Sequence, residues 1–478
     1  MSKLVVQQIE GPSDNAQVFA DGLSVTGITT LASAGGITTT GGTLYAPQVS
    51  VSGVITATSF SGSGASLTGI DGGIAGVSTT GFSTFRDVKH AGITTCVGIV
   101  SCSDVVSTGI VTAKAFIPTQ GHLSNRNWVI NGSFQVAQRG TTTTTTGFQT
   151  VDRWFVNWGG TDESPTVAQV TLTSSDTGPW AKGFRNALQI TNGNQTGGAG
   201  AGDDITIQTK LEAQNIANSG WDYTNTSSYI TLSFWIKSSV AQNFYGRIQS
   251  NDGTKKNYPF QTGSLSANTW TKVTKTIPGH ADLQFDNNTG TGFIFILPPF
   301  LGTNFTASGA SVDTWATFDS AERTPDSTST WYTTNDSTYA ITGVQIEVGQ
   351  APTPFEHRSY ADDLLACFRY YYRIKSLSNG DDFATGFNTN TTNCRPTIIF
   401  PVRMRSEVTG VDQSGTATDY MVAHGTSETQ CSSVPTISGG SEYNCRLVFH
   451  VSSGLTAGQG SAGRAYNSSA YLGFSAEL

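Results

Sequence analysis

Charge is scarce in this chain. Asp, Glu, Lys and Arg make up 13% of its 478 residues, and no block of Lys and Arg interrupts a net charge of -8. A nucleic-acid partner is therefore not expected. Long apolar runs are missing too. The longest covers residues 293–297, extended by Pro298-Pro299-Phe300-Leu301, far short of the roughly 20 residues of a membrane helix, so no membrane insertion is expected. The opening Met1-Ser-Lys-Leu-Val-Val-Gln-Gln-Ile-Glu10 has too short an apolar stretch for a signal-peptide core, which points to folding in a cytoplasm. No C-x-x-C pair occurs among Cys96, Cys102, Cys367, Cys394, Cys431 and Cys445, and no His/Cys cluster has zinc-ligand spacing; reduced, buried thiols are the expectation. Neither a G-x-S-x-G elbow nor a phosphate loop is present. The carboxylate pairs Asp203-Asp204, Asp362-Asp363 and Asp381-Asp382 are chain neighbours, which point to opposite faces of a strand and make no dyad. The expectation is a protein that is not an enzyme and has no cofactor. Calcium stays open, because loop carboxylates and carbonyls can bind it without a D-x-D-x-D-G motif.

What is abundant is Gly, Ser, Thr and the β-branched residues. Residues 22–85 contain one charge, Asp71, and a recurring phrase: Gly27-Ile-Thr-Thr30, Gly36-Ile-Thr-Thr39, Gly53-Val-Ile-Thr56, Gly92-Ile-Thr-Thr95 and Gly109-Ile-Val-Thr112. Disorder usually needs high net charge, which this stretch lacks, and its Val and Ile positions favour strands. The spacing is irregular, against a single-chain solenoid. Short strands with one apolar face can bury it when several identical chains wrap a common axis, so an obligate oligomer is expected, and a homotrimer suits a fibre. A flexible Gly/Ser/Thr linker is the competing reading.

Near Pro118-Thr-Gln-Gly121 the composition breaks. All nine Trp lie between Trp128 and Trp331. Strand patterns follow at Tyr229-Ile-Thr-Leu-Ser-Phe-Trp-Ile-Lys237, Phe244-Tyr-Gly-Arg-Ile-Gln249 and Thr269-Trp-Thr-Lys-Val-Thr-Lys-Thr-Ile277, and at residues 187–190, 204–208, 292–297 and 339–347, with turns at Asn251-Asp-Gly253 and Asn287-Asn-Thr-Gly290. Many short strands separated by turns predict an antiparallel sandwich. Next, Ser359 to Ile374 places Leu364, Leu365, Phe368, Tyr371 and Tyr372 on one face at helical spacing, with Ser359 as cap and Asp362 and Asp363 at the positive end. A packed connector is the plain reading, and meeting around an oligomer axis the sharper one. The last hundred residues hold strand-like Pro396-Thr-Ile-Ile-Phe-Pro-Val-Arg-Met-Arg405, Cys445-Arg-Leu-Val-Phe-His-Val-Ser452 and Ala470-Tyr-Leu-Gly-Phe-Ser-Ala-Glu-Leu478, with loops expected at 414–419, 425–434 and 452–463.

Several of these phrases resemble bacteriophage tail fibres of the cyanophage and marine-phage type. Val54-Ile-Thr-Ala-Thr-Ser-Phe60 through Ile70 and Asp104-Val-Val-Ser-Thr-Gly-Ile-Val-Thr-Ala-Lys-Ala-Phe116-Ile-Pro118 are similar to their shafts. Asn127-Trp-Val-Ile-Asn-Gly-Ser-Phe-Gln-Val-Ala-Gln-Arg-Gly140 with Val151-Asp-Arg-Trp154, Thr231-Leu-Ser-Phe-Trp-Ile-Lys-Ser238, Ile341-Thr-Gly-Val-Gln-Ile-Glu-Val-Gly349 and Pro352-Thr-Pro-Phe-Glu-His-Arg358 resemble, in order, their jelly-roll module. The likeness covers roughly residues 124–374; Phe400-Pro-Val-Arg-Met-Arg405 and the final strand resemble their terminal domain. It implies a mostly β chain: a virion-attachment segment (1–20), a β-rich trimeric shaft (21–122), a central antiparallel jelly-roll sandwich similar to carbohydrate-binding modules (123–358), one connecting helix (359–374) and a C-terminal β-sandwich knob (375–478).

The implied function is a non-catalytic virion fibre, assembled in the host cytoplasm, that adheres to a host-surface polysaccharide or protein and joins other tail or baseplate proteins through its N-terminus. A head or neck fibre, or decoration protein, and a polysaccharide-depolymerising tailspike are the alternatives. Sugar rings stack on aromatic faces, so Trp158, Trp180, Trp221, Tyr223 and Trp331, in Gly-, Asp-, Asn- or Thr-rich stretches, are the sugar-binding candidates. Packing is the competing reading for each, while Trp235 and Trp270, in strands, are expected in the core.

Overall fold

The structure, a computed structural model, describes residues 124–478. The expected attachment segment and shaft, with Cys96 and Cys102, lie outside the described residues.

The chain first builds a sandwich. Its strands are β1 (Thr142–Thr143), β2 (Phe155–Gly159), β3 (Thr166–Thr171), β4 (Asn186–Thr191), β5 (Asp204–Glu212), β6 (Tyr229–Ser238), β7 (Asn243–Ser250), β8 (Lys256–Ser264), β9 (Thr271–Pro278), β10 (Thr291–Leu301), β11 (Ala316–Thr317) and β12 (Thr338–Val348), with short helices α1 (Ala213–Ala217) and α2 (Thr330–Thr333). They form two six-stranded antiparallel sheets, β1-β3-β4-β12-β6-β9 and β11-β8-β7-β10-β5-β2. This is the expected jelly-roll type of sandwich.

Strand alternation builds the core. Ile230, Leu232, Phe234 and Ile236 of β6 point inward and are fully buried, as are Phe293, Phe295 and Leu297 of β10 and Ile205 and Ile207 of β5. Each such side chain stabilises the fold by about 1.5–3 kcal/mol relative to exposure. The sheets close tightly enough to require glycine at one point: a Cβ on Gly246 would lie 2.4 Å from the Phe260 ring and 2.7 Å from Leu297. The Asn251-Asp252-Gly253 turn between β7 and β8 also needs its glycine, at φ +59.

Helix α3 (Tyr360–Phe368) follows. Ser359 caps it, its Oγ accepting from Asp362 N–H at 3.2 Å. The helix stops at Phe368, short of the Ile374 expected from spacing. Tyr370, Tyr371 and Tyr372 are better strand formers, and Tyr371 opens β13 (Tyr371–Lys375), paired with β22 (Tyr471–Ser475). The predicted apolar face is also displaced: Asp363 and Cys367 are its buried residues, whereas Leu364 and Phe368 are half-buried and Leu365 is 50% exposed. Tyr371 and Tyr372 instead pack within the terminal domain, Tyr371 donating to Asp412 Oδ2 at 2.8 Å and Tyr372 stacking on Phe474.

That domain adds β14 (Asp382–Asn388), β15 (Asn393–Ile399), β16 (Val411–Gln413), β17 (Tyr420–His424), β18 (Ser427–Gln430), β19 (Ser433–Gly440), β20 (Asn444–His450) and β21 (Gly460–Ala465). Sheets β13-β22-β16 and β18-β17-β21-β14-β15-β20-β19 enclose a separate core around Phe449, Leu447, Tyr420 and Phe474. Three expectations fail locally, one of them the loop expected over 452–463, whose last residues already belong to β21. The strand expected over 396–405 ends at Ile399, just before Phe400-Pro401, because proline has no N–H for a ladder. The expected loop 425–434 contains β18 and the start of β19. Cys367, Cys394, Cys431 and Cys445 are free and buried, and burial pushes the Cys394 thiol up to about 11 and Cys445 to about 12.

The two domains meet through buried charge. Glu477 pairs with Arg153 and Arg139. Glu212, at the end of β5, accepts from Arg369 Nε and Nη2 at 2.7 and 2.8 Å and from the Tyr370 hydroxyl at 2.5 Å. Arg405 donates across the junction to the Thr289 carbonyl at 3.2 Å and, within its own domain, to the Ala476 and Glu477 carbonyls at 2.6 and 2.8 Å, and Arg153 stacks on Tyr370 at 3.5 Å. Burial works against the charged form of Glu212, but the Arg369 and Tyr370 hydrogen bonds outweigh it and hold its carboxyl below the ordinary range. Asp152 lies beside this junction and accepts from the Gln138 N–H and side-chain amide, with Arg139 nearby, but here burial outweighs these partners and pushes its carboxyl up to about 6.

Candidate functional site

The aromatic candidates divide by burial. Trp331 is fully buried, its Nε1 donating to the Thr338 carbonyl at 3.0 Å. Trp221 is 3% exposed and packs among Trp128, Phe285 and Phe293. Neither presents a face to a sugar: both segments read as polar loops, but their indoles turn into the sandwich. Tyr223 is half-buried against Trp221 and Phe285. Trp158 stands opposite Ile205, on the core side of β2, and is half-buried there. Trp180 is half-buried with Arg185 over its ring at 3.7 Å. These five residues do not converge on one site. Of the two indoles expected in the core, Trp270 is buried and donates to Asp176 at 2.9 Å, while Trp235 is half-buried.

A face of mixed polar and apolar residues lies elsewhere, on the outside of the second sheet. In β7, Phe244 and Ile248 point inward, so Tyr245, Arg247 and Gln249 point out. Register lines residues up across the sheet. One row runs Pro259, Arg247, Ile296, Gln208 and Phe155; the next runs Asn257, Gln249, Ile294 and Lys210. Outward polar residues of a sandwich are ordinarily exposed. Here Arg247, Gln249 and Asn257 are 7%, 6% and 2% exposed. The chain leaving edge strand β11 passes beside them: Asn257 donates to the Arg323 carbonyl at 2.8 Å, and the Phe318 ring lies 5.4 Å from the Arg247 guanidinium. The result is a surface, called the trough below, on which buried polar groups lie beside half-buried Tyr245, Gln208, Phe155 and Asn157.

Asp204 sits at the trough's far end, accepting from Asn157 Nδ2 at 3.4 Å, and burial raises its carboxyl above the ordinary range. Its neighbour Asp203 turns away to accept from the Tyr332 hydroxyl at 3.0 Å, as strand alternation requires. Arg247 Nη1 donates to Gln249 Oε1 at 2.6 Å and more weakly to Asn257 Oδ1 at 3.4 Å. Burial, with Arg323 nearby, lowers its pKa to about 9. Neighbouring strands lie about 4.8 Å apart, so such a face offers donors and acceptors in a fixed lattice to a polyhydroxylated chain, with aromatic edges for its apolar patches.

A second recess of about 350 Å³ lies on the outer face of the first sheet, among Phe184, Trp235, Lys272, Phe355 and His357. Residues 350–357 strap it: Glu347 accepts from Thr353 N–H and Oγ1 at 2.8 and 2.6 Å, and His357 Nε2 lies 2.8 Å from the Lys182 carbonyl. Among the described residues no three His, Cys, Asp or Glu side chains gather as metal ligands, and no helix is long and apolar enough to cross a membrane.

No family model matches the chain, and no curated protein matches it. Solved structures do. The enzymatically active domain of tailspike protein 4 from bacteriophage CBA120 aligns at 13% identity and TM-score 0.26, over 47% of this chain and 21% of that one, so this chain spans about a fifth of it. The N-terminal cellulose-binding domain of Cellulomonas fimi β-1,4-glucanase C aligns at 12% identity and TM-score 0.22, over 46% of this chain and 99% of that one. TmCBM61 in complex with β-1,4-galactotriose aligns at 10% identity and TM-score 0.24, over 47% and 100%. Matches this shallow assign neither an activity nor a ligand.

The trough residues were not visible as a site in the sequence. Alternation in Tyr245-Gly-Arg-Ile-Gln249 already turns Arg247 outward. An outward arginine is ordinarily solvated, however, and nothing local marks the approach of Phe318 and Arg323 beside it.

Proposed function

We propose that this chain is a non-catalytic bacteriophage tail-fibre subunit that adheres to host cells, with the trough on the second sheet reading a surface glycan. The observation that carries the binding role is the row of outward polar side chains sunk in a sandwich face, where solvated ones would be expected. The fibre assignment rests on the ordered likeness of residues 124–374 to phage fibre modules and on the nearly uncharged, repetitive 22–85 region. Homotrimerisation through that region, attachment to tail or baseplate proteins by the N-terminal segment and residence in the virion belong to the same proposal.

The test uses the full chain on host cells and on their extracted polysaccharide. Saturable binding without release of reducing ends is expected. Y245A and N157A, at half-buried positions of the trough, should each weaken binding about fivefold or more while leaving the unfolding midpoint within a degree or two. Release of reducing ends would establish a depolymerase instead, and unchanged binding in both variants would move the site off this face. Sedimentation of the intact chain as a monomer would refute the fibre.

A further inference from the structure

Three cations are buried among the described residues: Arg153, Lys256 and Arg247. Arg153 is neutralised by Glu477, and Lys256 by Asp282 at 2.8 Å. Arg247 has no such partner. Its hydrogen bonds go to two neutral amide oxygens, both through Nη1, leaving Nε and Nη2 without a protein acceptor yet not sealed from solvent. The nearby charge that acts on it is a second arginine, Arg323, which repels it. A desolvated guanidinium is costly unless a counter-charge meets it, and its free edge is the planar fork that accepts a carboxylate or sulfate in two parallel hydrogen bonds. The supports on the other edge are polar and fixed: Gln249 and Asn257, both more than nine-tenths buried, hold Nη1 in place, and the Phe318 ring lies over the guanidinium. The free edge therefore has a set direction.

Resting on the glycan-binding reading above, we propose that the trough selects an anionic glycan, one whose carboxylate or sulfate substituent is clasped by the free edge of Arg247, with Arg323 adding positive field beside it. Neutral glycans would leave the buried cation uncompensated. The negative net charge of the whole chain then opposes long-range attraction, so discrimination comes from this contact. Raised salt weakens binding only modestly, because a sunken pair is screened less than a surface pair.

The experiment measures binding of the full chain to immobilised polygalacturonate and alginate, which carry carboxylates, to carrageenan and dextran sulfate, which carry sulfates, and to dextran and laminarin, which are neutral. Binding confined to one or both anionic groups is expected, and which group responds identifies the substituent. Carboxyl reduction or desulfation of the bound polymer should abolish binding by the unaltered protein, a readout that does not depend on any variant folding. R247Q should weaken binding by about tenfold to a hundredfold, and R247K, which keeps the charge and loses the fork, should fall between. Binding to the neutral polymers, survival of binding after the substituent is removed, or full affinity in a folded R247Q would overturn the anionic selection while leaving the adhesion reading intact. Failure to bind any of the six polymers and the host polysaccharide alike would overturn both.

Discussion

Two of the places where the molecule buries charge treat it oppositely. At the junction between the domains each buried group has a counter-charge or several donors: Arg153 meets Glu477, and Glu212 meets Arg369 and Tyr370. In the trough Arg247 has neutral company and an unfilled edge. A saturated network locks two surfaces together, while an unsaturated one keeps a debt that an outside molecule can settle. The difference separates a structural contact from a receptive one without reference to residue type, since arginine serves in both.

The largest effect that would break this comparison is at the junction. E477Q leaves Arg153 desolvated and unpaired, and should cost about 3–5 kcal/mol of stability, read as a fall in the thermal midpoint. If E477Q unfolds no earlier than the wild type, the junction is not a closed network. The next effect is pH-dependent. Glu212 is held below its ordinary value, so its contribution is complete above about pH 4.5 and is lost as pH falls through the lower folded value. Asp152 runs the other way. Its folded value, about 6, exceeds the ordinary 3.8, so it favours folding below 3.8 and loses that advantage as pH rises towards 6. D152N should therefore gain on the wild type in thermal midpoint as pH is raised from 4 to 7, and a constant difference across that range would contradict the burial of its charge. The smallest expected effect is R247M. Replacing an uncompensated buried ion by an apolar chain of similar length relieves its desolvation but leaves the buried Gln249 Oε1 without its donor, so the net change is within about 1 kcal/mol of zero, in contrast to the same change at Arg153. A large loss in R247M would mean that the trough arginine is a structural element after all.

How much of this could be read beforehand depended on how local each cause is. Inward alternation at Ile230, Leu232, Phe234 and Ile236, and the glycine turn at 251–253, are set by neighbours in sequence, so β6, β7, β10 and β12 were legible to within a few residues at their ends. Helix α3 was legible at its capped start and not at its end, where pairing of Tyr371 with Ser475 overrode the helical spacing. Polar flanks suggested exposed indoles at Trp221 and Trp331, but a loop's composition says little about the direction of its one large side chain. The trough was out of reach because its defining property is the lack of a partner, and partners here come from far away: Arg369 reaches Glu212 across 157 positions.

The Arg153–Glu477 pair spans 324 positions, and that interval has a meaning in time. At about 5–20 residues per second, the ribosome releases the arginine roughly twenty seconds to a minute before its counter-ion exists. Through that interval Arg153 lacks its counter-ion, so the contact that ties the sandwich to the second domain forms only after residue 477 has emerged, long after the sandwich strands are available to pair.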